Sequence, residues 1–208
     1  KEAMIFGTAG FTAGLSVQAL QKHGITPEKG EIIVTGSTGG VGSISILLLS
    51  NLGYDVVAST GKTSETEFLK GLGAKEIVDR EEVNDDSKKP LLRQRWAGGI
   101  DTVGDNTLAT LLKSTKQRGA VAATGLVASA NLPTTVYPFI LRGVSLLGID
   151  SGETPMDLRC HIWNKLASDW KFPQLNHLTV DCNLDDLVPE IDKILAGAQR
   201  GRVVVNLQ

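Results

Sequence analysis

The residues best suited to chemistry lie in one glycine-rich stretch, Thr35–Gly42 (TGSTGGVG). It follows a β-branched run, Glu31–Thr35, and precedes an apolar helical pattern, Ser43–Leu52. Glycines let such a turn close and let its backbone approach a pyrophosphate, while the next helix offers free N–H groups. A turn of this kind can also be purely structural. The context favours a dinucleotide site, with contacts from Ser37, Thr38, Gly39, Gly40, Val41 and Gly42.

Two other nucleotide-binding classes fit this stretch poorly. A phosphate-binding loop of the NTPase type needs a lysine after its last glycine, and Ser43 stands there instead. Short-chain dehydrogenases share the turn but carry their chemistry on a Tyr-x-x-x-Lys pair. The tyrosines of this chain, Tyr54 and Tyr137, are followed four residues later by Ala58 and Leu141.

The end of the next strand, Asp55–Thr60, indicates which dinucleotide binds. NAD-binding proteins place a carboxylate there, where it accepts a hydrogen bond from the ribose 2′-hydroxyl. This chain has hydroxyls and a cation instead: Ser59, Thr60, Lys62 and Ser64. These groups suit a 2′-phosphate, and Asp55 is expected at the opposite edge of the sheet. The pattern therefore favours NADPH over NADH.

Strands alternate with helices along most of the chain, which is typical of a parallel sheet covered on both faces. The further predicted strands are Glu76–Asp79, Ile100–Val103, Ala120–Thr124 and Val144–Ile149. The predicted helices are 8–23, Ser43–Leu52, Ser64–Leu72, Leu91–Trp96, Leu108–Lys116, Met156–Trp170 and Leu184–Ala196, and further strands are Leu178–Cys182 and Val203–Leu207. The fold class is therefore α/β, a Rossmann-type, doubly wound, parallel six-stranded sheet.

Ligands bind at the carboxyl ends of strands in such sheets. Arg80 follows the third predicted strand and could flank the adenine or its phosphate. Gly104 and Asp105 follow the fourth strand, and Gly125 and Leu126 follow the fifth. These five residues are further predicted cofactor contacts.

Several segments together resemble the quinone-oxidoreductase branch of the medium-chain dehydrogenase/reductase superfamily. The resemblance is closest to the bacterial quinone oxidoreductases related to acrylyl-CoA reductase. It rests on Gly7–Ala13 (GTAGFTA), Gly36–Ser43, Val56–Lys62, Ile100–Asp105 (IDTVGD), Leu132–Asp150 (LPTTVYPFILRGVSLLGID) and Gly201–Leu207 (GRVVVNL). These segments extend over essentially the whole chain.

The resemblance implies a layout in which a GroES-like catalytic domain surrounds the Rossmann domain. Residues 1–171 would be the NADPH-binding domain, and residues 172–208 the returning C-terminal remnant of the catalytic domain. The chain opens on Lys1 in a helical pattern, so we expect a fragment without the N-terminal catalytic half. Members of this branch use no zinc, and the scattered positions of His23, His161 and His177 agree with that expectation.

The same resemblance implies a reaction, in which hydride passes from NADPH to a quinone or an activated alkene such as an enone or an acrylyl-CoA-like thioester. Asp150 and Ser151 look like the family's residues at the nicotinamide end, and Thr12 and Arg202 are further candidate cofactor contacts. Arg202 fits a surface arginine equally well. No residue is assigned as proton donor, and water is a candidate for that role.

Composition bounds the partners and the location. Apolar residues make up 41% of the chain and charged residues 21%, with a formal net charge of -2, which gives no sign of a nucleic-acid or membrane partner. No apolar run appears long enough for a bilayer, so a cytoplasmic protein is expected. The apolar run 139–141 is interpreted as core or as a homodimer contact. Two alternatives remain: an NADPH-binding sensor or interaction module without catalysis, and an enoyl-reductase domain of a larger synthase.

Overall fold

The computed structural model describes residues 1–207. Its helices are α1 (Glu2–Lys22), α2 (Gly40–Asn51), α3 (Thr66–Gly71), α4 (Asp105–Ser114), α5 (Tyr137–Arg142), α6 (Met156–Ala167) and α7 (Leu187–Leu195). Its strands are β1 (Ile32–Val34), β2 (Val56–Thr60), β3 (Glu76–Asp79), β4 (Trp96–Asp101), β5 (Thr115–Ala123), β6 (Ser145–Gly148), β7 (Thr179–Asn183) and β8 (Arg202–Asn206).

The first six strands form one parallel sheet in the order β3-β2-β1-β4-β5-β6. This is the strand order of dinucleotide-binding α/β folds, in which the order reverses beside β1 and opens a crevice at the carboxyl ends of the strands. The predicted Rossmann-type, six-stranded sheet is therefore confirmed. The glycine turn after β1 lies at this reversal point.

Both faces of the sheet are covered, as the apolar runs of the strands require. Ile32 and Val34 belong to a core cluster with residues of α1, α2 and α6, whereas Ile33 belongs to a second cluster with residues of α4. Successive residues of a strand point to opposite faces, so β1 supplies both clusters. All three residues are completely buried, and this strand anchors the turn that follows it.

The helix α1 lies against α2 and α6 and is apolar on most sides. It is long and apolar enough by length and composition to cross a membrane, so the expectation that no such run exists was wrong. The fold accounts for its composition: 67% of the apolar window is buried, as in the core helix of a layered domain. Gly7, with φ of 49°, breaks the helical path near its start.

One predicted helix is absent from the structure, and one observed helix was not predicted. The segment predicted as a helix at Leu91–Trp96 is irregular, and its Trp96 already belongs to β4. Its backbone is fixed by distant partners: Leu92 N donates to Lys113 O (3.0 Å), and Arg142 donates to Leu92 O (2.6 Å). Such tertiary bonds replace the local ones of a helix. The helix α5 was not predicted at all.

Strand and helix ends shift elsewhere by a few residues. The fourth strand ends at Asp101, two residues before the predicted end, and α2 already begins at Gly40 within the glycine turn.

The strands β7 and β8 pair parallel with each other in a separate two-stranded sheet. This small sheet and the segment before β8 contact the glycine turn, as described below.

Candidate functional site

The glycine turn closes on itself after β1 and leads directly into α2. Gly36 has φ of 57°, and the Gly39 amide donates to the Gly36 carbonyl at 3.0 Å. A Cβ on Gly42 would lie 2.4 Å from the Gly36 oxygen, so no larger residue fits there without moving the backbone. The first turn of α2 therefore lies directly on the loop, with its free N–H groups facing the crevice.

The hydroxyls of this turn are mostly committed to the fold. Ser37 is completely buried and its Oγ donates to Val34 O at 2.7 Å. The carbonyl of Thr38, also buried, accepts from the Gly201 amide at 2.8 Å. Val41 packs against the core cluster beneath the helix. Of the six predicted residues, Gly39 and Gly40 therefore offer the most accessible backbone.

A buried carboxylate joins the glycine turn to the next strand. Asp101, at the end of β4, is 0% exposed; its Oδ1 accepts from the Thr35 hydroxyl (2.6 Å) and its Oδ2 from the Gly104 amide (2.8 Å). The Thr102 amide donates in turn to Thr35 Oγ1 at 3.1 Å. Burial raises the pKa of Asp101, and these hydrogen bonds partly oppose that rise. The network fixes both loops that border the crevice.

The loops after β4 and β5 pack tightly against each other. Gly104 has φ of 77° and Asp105 has φ of 50°, an uncommon conformation for a residue with a side chain. A Cβ on Gly125 would lie 2.5 Å from the Thr102 oxygen. Leu126 is 64% exposed beside them, an apolar side chain free to cover a ligand. The structure thus brings these four predicted residues together at the crevice.

At the end of β2, the hydroxyl-bearing residues are buried and the following lysine contacts a segment that is distant in sequence. Ser59 and Thr60 are buried, and Thr60 Oγ1 accepts from the Lys62 amide at 3.0 Å. The Lys62 ammonium donates to Gln199 O at 2.8 Å, a contact that the sequence did not predict. Ser64 is exposed in the following 3-10 turn.

Two arginines flank the same loop. Arg80 follows β3 and packs over Gly61, where a Cβ would lie 2.8 Å from its Nε; this nitrogen also pairs with Glu81 at 3.4 Å. Arg200 reaches the loop from the segment before β8 and pairs with Glu65 at 3.1 Å. The positive side chains of three separate segments, Lys62 included, therefore surround the end of β2.

Arg202 contacts the glycine turn from above. Its guanidinium nitrogens would lie 3.1 Å from a Cβ on Gly40 and 2.9 Å from one on Gly7. Within residues 1–207 its Nε donates to Ile5 O at 3.1 Å, and no carboxylate pairs with it. Arg202 is half-buried, and the partial desolvation of its charge lowers the pKa of the guanidinium. A half-buried cation without a counter-ion at a helix N-terminus suits an anionic ligand.

At the far end of the crevice, Asp150 and Ser151 lie in the loop after β6. The Asp150 carboxylate accepts from the amides of Gly152 (2.9 Å) and Glu153 (3.1 Å), so it shapes the loop. Arg159 donates to Ser151 O at 3.1 Å and lies 4.9 Å from the centre of the Phe11 ring. This contact brings the loop beside α1.

Thr12, the residue after Phe11 in α1, is the predicted contact on that helix. It is buried, and its hydroxyl donates to Thr8 O at 2.8 Å. The hydroxyls of Thr12 and Ser37 therefore already bond to protein carbonyls.

Three contributing residues were missed from the sequence. Asp101 had a usable signal, since a carboxylate that closes an apolar strand needs buried partners. Gln199 and Arg200 had none, because they meet the loop after β2 from more than a hundred positions away. In the part of the chain that the structure describes, no group of three or more His, Cys, Asp or Glu side chains could hold a metal ion.

The donor set at this edge fits a dinucleotide. Tight glycine backbone, the N-terminus of α2 and the Arg202 guanidinium suit a pyrophosphate, and the cations around the end of β2 suit a further phosphate. Residues 40–168 match the family described as zinc-binding dehydrogenase. The chain belongs to this family. The resemblance to its quinone-oxidoreductase and acrylyl-CoA-reductase members is confirmed by individual relatives.

Two curated relatives match the whole chain. YhfP of Bacillus subtilis (strain 168), by its name a candidate quinone oxidoreductase, is 50% identical over an alignment of 210 residues that covers 100% of this chain and 63% of that protein. Acrylyl-CoA reductase AcuI of Ruegeria pomeroyi is 46% identical over 207 residues, with the same two coverages of 100% and 63%. The chain thus spans 63% of the length of these relatives.

Two solved structures superpose closely. Bacillus subtilis YhfP with NAD bound has a TM-score of 0.96 and 49% identity, over 100% of this chain and 63% of that one. YhdH of E. coli K-12 with bound NADPH has a TM-score of 0.95 and 45% identity, over 99% and 63%. Both structures hold a nicotinamide dinucleotide, and only the NADPH bound to YhdH carries a 2′-phosphate.

Proposed function

We propose that this chain binds NADPH and forms the cofactor-binding part of an oxidoreductase that reduces a quinone or an activated alkene. The observation that carries the proposal is Arg202, a half-buried cation without a counter-ion, held against Gly40 at the start of α2. A partly desolvated charge is costly unless a partner compensates it. A bound pyrophosphate would supply that partner.

Preference for NADPH over NADH is the finer part of the proposal. No carboxylate stands at the end of β2, and Lys62, Arg80 and Arg200 surround the loop that follows. YhdH has been solved with NADPH and YhfP with NAD, so relatives of similar identity occur with either coenzyme. The cations of this chain support the phosphorylated one.

The chain's own residues would bind and orient the coenzyme. Gly39 and Gly40 would hold the pyrophosphate with Arg202, while the loops after β4, β5 and β6 would position the nicotinamide end. When bound, NADPH supplies a hydride. The exposed side chain of Leu126 would limit water at that end. The proton is proposed to come from water.

Several features of the whole protein belong to the proposal. Reduction without zinc is supported by the scattered histidines and cysteines, and a cytoplasmic location is part of the same proposal. We propose the division into residues 1–171 and 172–208, supported by the separate β7–β8 sheet; Gln208 lies outside the described residues. A homodimer is supported by the edge strand β6 and by Ile140 and Leu141, which are exposed on α5.

The first test is a fluorescence titration of the chain with NADPH and with NADH, beside a Lys62→Ala variant. We expect NADPH to bind at least about tenfold tighter, roughly 1.4 kcal/mol, and Lys62→Ala to reduce that preference. Equal affinities would overturn the preference for NADPH. A chain that melts cooperatively and binds neither coenzyme would overturn the proposal.

Hydride transfer is tested separately, by following NADPH absorbance in the presence of benzoquinone or acrylyl-CoA. Substrate-dependent consumption supports the reductase. Tight NADPH binding with no consumption by the native gene product would favour the sensor or interaction module instead.

A further inference from the structure

The segment 199–202, which we call the strap, crosses the dinucleotide site and is fastened at both ends. At one end the Lys62 ammonium donates to Gln199 O (2.8 Å) and Arg200 pairs with Glu65 (3.1 Å). At the other, the Gly201 amide donates to Thr38 O at 2.8 Å. The strap lies outside residues 40–168, the part matched to the family. The side chains of the strap therefore add contacts to the dinucleotide site that the glycine turn alone would not predict.

Arg200 is held where a 2′-phosphate would be recognised. The ribose of the coenzyme binds at the end of β2 in this fold, and Arg200 reaches the loop just after it. Its guanidinium carbon lies 5.0 Å from the centre of the Phe68 ring, which orients the planar group. A planar guanidinium can bind a phosphate through two parallel hydrogen bonds, which an ammonium cannot.

Arg200 also neutralises the charge of a neighbouring carboxylate, Glu65. The Glu65 side chain is only 19% exposed, and its carboxylate faces Arg200. An unpaired carboxylate in this position would repel a 2′-phosphate but not the 2′-hydroxyl of NADH. Pairing with Arg200 removes that repulsion. With the ion pair formed, the net charge of the two side chains is zero, and the loop after β2 would accept a phosphate.

We propose that Arg200 is a coenzyme-specificity residue that binds the 2′-phosphate beside Lys62 and neutralises Glu65. The inference rests on the proposed NADPH binding and extends it to the strap. Arg80 is a weaker candidate, because its side chain is 73% exposed, against 52% for Arg200, which also packs on the Phe68 ring. Among residues 1–207, Glu65 is the only carboxylate that pairs with Arg200, through one terminal nitrogen of the guanidinium. The other N–H groups of Arg200 have no negatively charged partner there.

The test compares NADPH and NADH affinities of the wild type, Arg200→Ala, Arg200→Lys, Glu65→Gln and the double variant. Arg93→Ala, which removes an exposed arginine from the loop before β4, is the charge-matched control. We expect Arg200→Ala to weaken NADPH at least about tenfold and NADH less than about twofold. Arg200→Lys should recover part of the NADPH affinity, and Arg93→Ala should change neither.

The double variant separates the two tasks of Arg200. Without Glu65 there is no carboxylate to neutralise, so Arg200→Ala with Glu65→Gln should recover at least about threefold of the lost NADPH affinity. Equal weakening of both coenzymes by Arg200→Ala, no weakening, or no recovery in the double variant would each overturn the inference. A wild type that binds neither coenzyme would instead overturn the proposed function.

Discussion

The hydroxyl of Thr35 donates to the buried carboxylate of Asp101 at 2.6 Å, and this contact joins the ends of the two central strands. Thr35 directly follows β1 and begins the glycine turn, and Asp101 ends β4. The second oxygen of Asp101 accepts from the Gly104 amide, so one side chain holds the turn and the neighbouring loop. Because Asp101 is completely buried and bonds to both loops, it is a positioning residue for the crevice.

Replacing Asp101 with Asn should destabilise the protein by about 1–3 kcal/mol. The amide keeps the shape of the carboxylate but can accept at only one atom, so the Thr35 hydroxyl or the Gly104 amide loses its partner. Urea denaturation of both proteins at near-neutral pH measures the difference. A Thr35→Val variant should lose a comparable amount, and additive losses in the double variant would contradict a shared network.

The stability of the wild type relative to Asp101→Asn should also depend on pH. Burial raises the pKa of Asp101 above that of the unfolded chain, so the native state holds the proton more tightly. The stability contributed in this way is fully present below the unfolded pKa, about 3.9, and is lost as the pH rises through the folded pKa. Urea denaturation between about pH 4 and pH 8 should show that the difference in free energy of unfolding between the wild type and Asp101→Asn decreases as the pH rises. A constant or increasing difference would contradict a raised pKa for Asp101.

Gly42→Ala should weaken dinucleotide binding while the protein remains folded. Its new Cβ would lie 2.4 Å from the Gly36 oxygen, and neither atom can rotate away, because the oxygen belongs to the backbone and the Cβ is bonded directly to Cα. Gly71 in α3 is the matched control, since a Cβ there has no atom within 4 Å. We expect at least a tenfold loss of NADPH affinity for Gly42→Ala, about 1.4 kcal/mol, and unchanged affinity for Gly71→Ala. Equal affinities of the two variants would contradict the geometry.

The sheet and the glycine turn were predictable because their signals are local. A β-branched run, a glycine turn and an apolar helix are adjacent in sequence, and burial on both faces makes each strand an apolar run. The helix predicted at Leu91–Trp96 failed for the opposite reason. Its backbone bonds to Lys113 and Arg142, which are distant in sequence, and such partners override local preference.

The same distinction explains the site. Gly39, Gly40 and Lys62 could be named from their place after a strand, but the partner of Lys62 could not. Gln199 and Arg200 meet the loop after β2 only because β8 brings the strap across the crevice. Arg202 was named as a candidate contact, and its position against Gly40 and its missing counter-ion are properties of the fold alone.

Arg202→Met should weaken NADPH and NADH alike, at least about tenfold, because the pyrophosphate is common to both. Its effect on folding should be small, within about 1.5 kcal/mol, since the variant loses one hydrogen bond to Ile5 O and also removes a partly buried, unpaired charge. Titration and urea denaturation of the same samples measure both. Arg200→Ala provides the contrast, because it should separate the two coenzymes. Unchanged affinity in Arg202→Met would exclude Arg202 from the phosphate site.

A charge on the exposed face of α5 should disrupt the proposed homodimer. The strand β6 pairs only with β5 among residues 1–207, and Ile140, on the helix that precedes β6 in the chain, is 68% exposed. Two copies that join their sheets through β6 would bury this side chain, and Ile140→Glu would place a carboxylate in the contact. We expect its dimer dissociation constant to rise at least tenfold by sedimentation, about 1.4 kcal/mol. Leu195→Glu on α7, at a position 80% exposed, should leave the dimer intact; dissociation by Leu195→Glu alone would place the interface on α7 and not on β6.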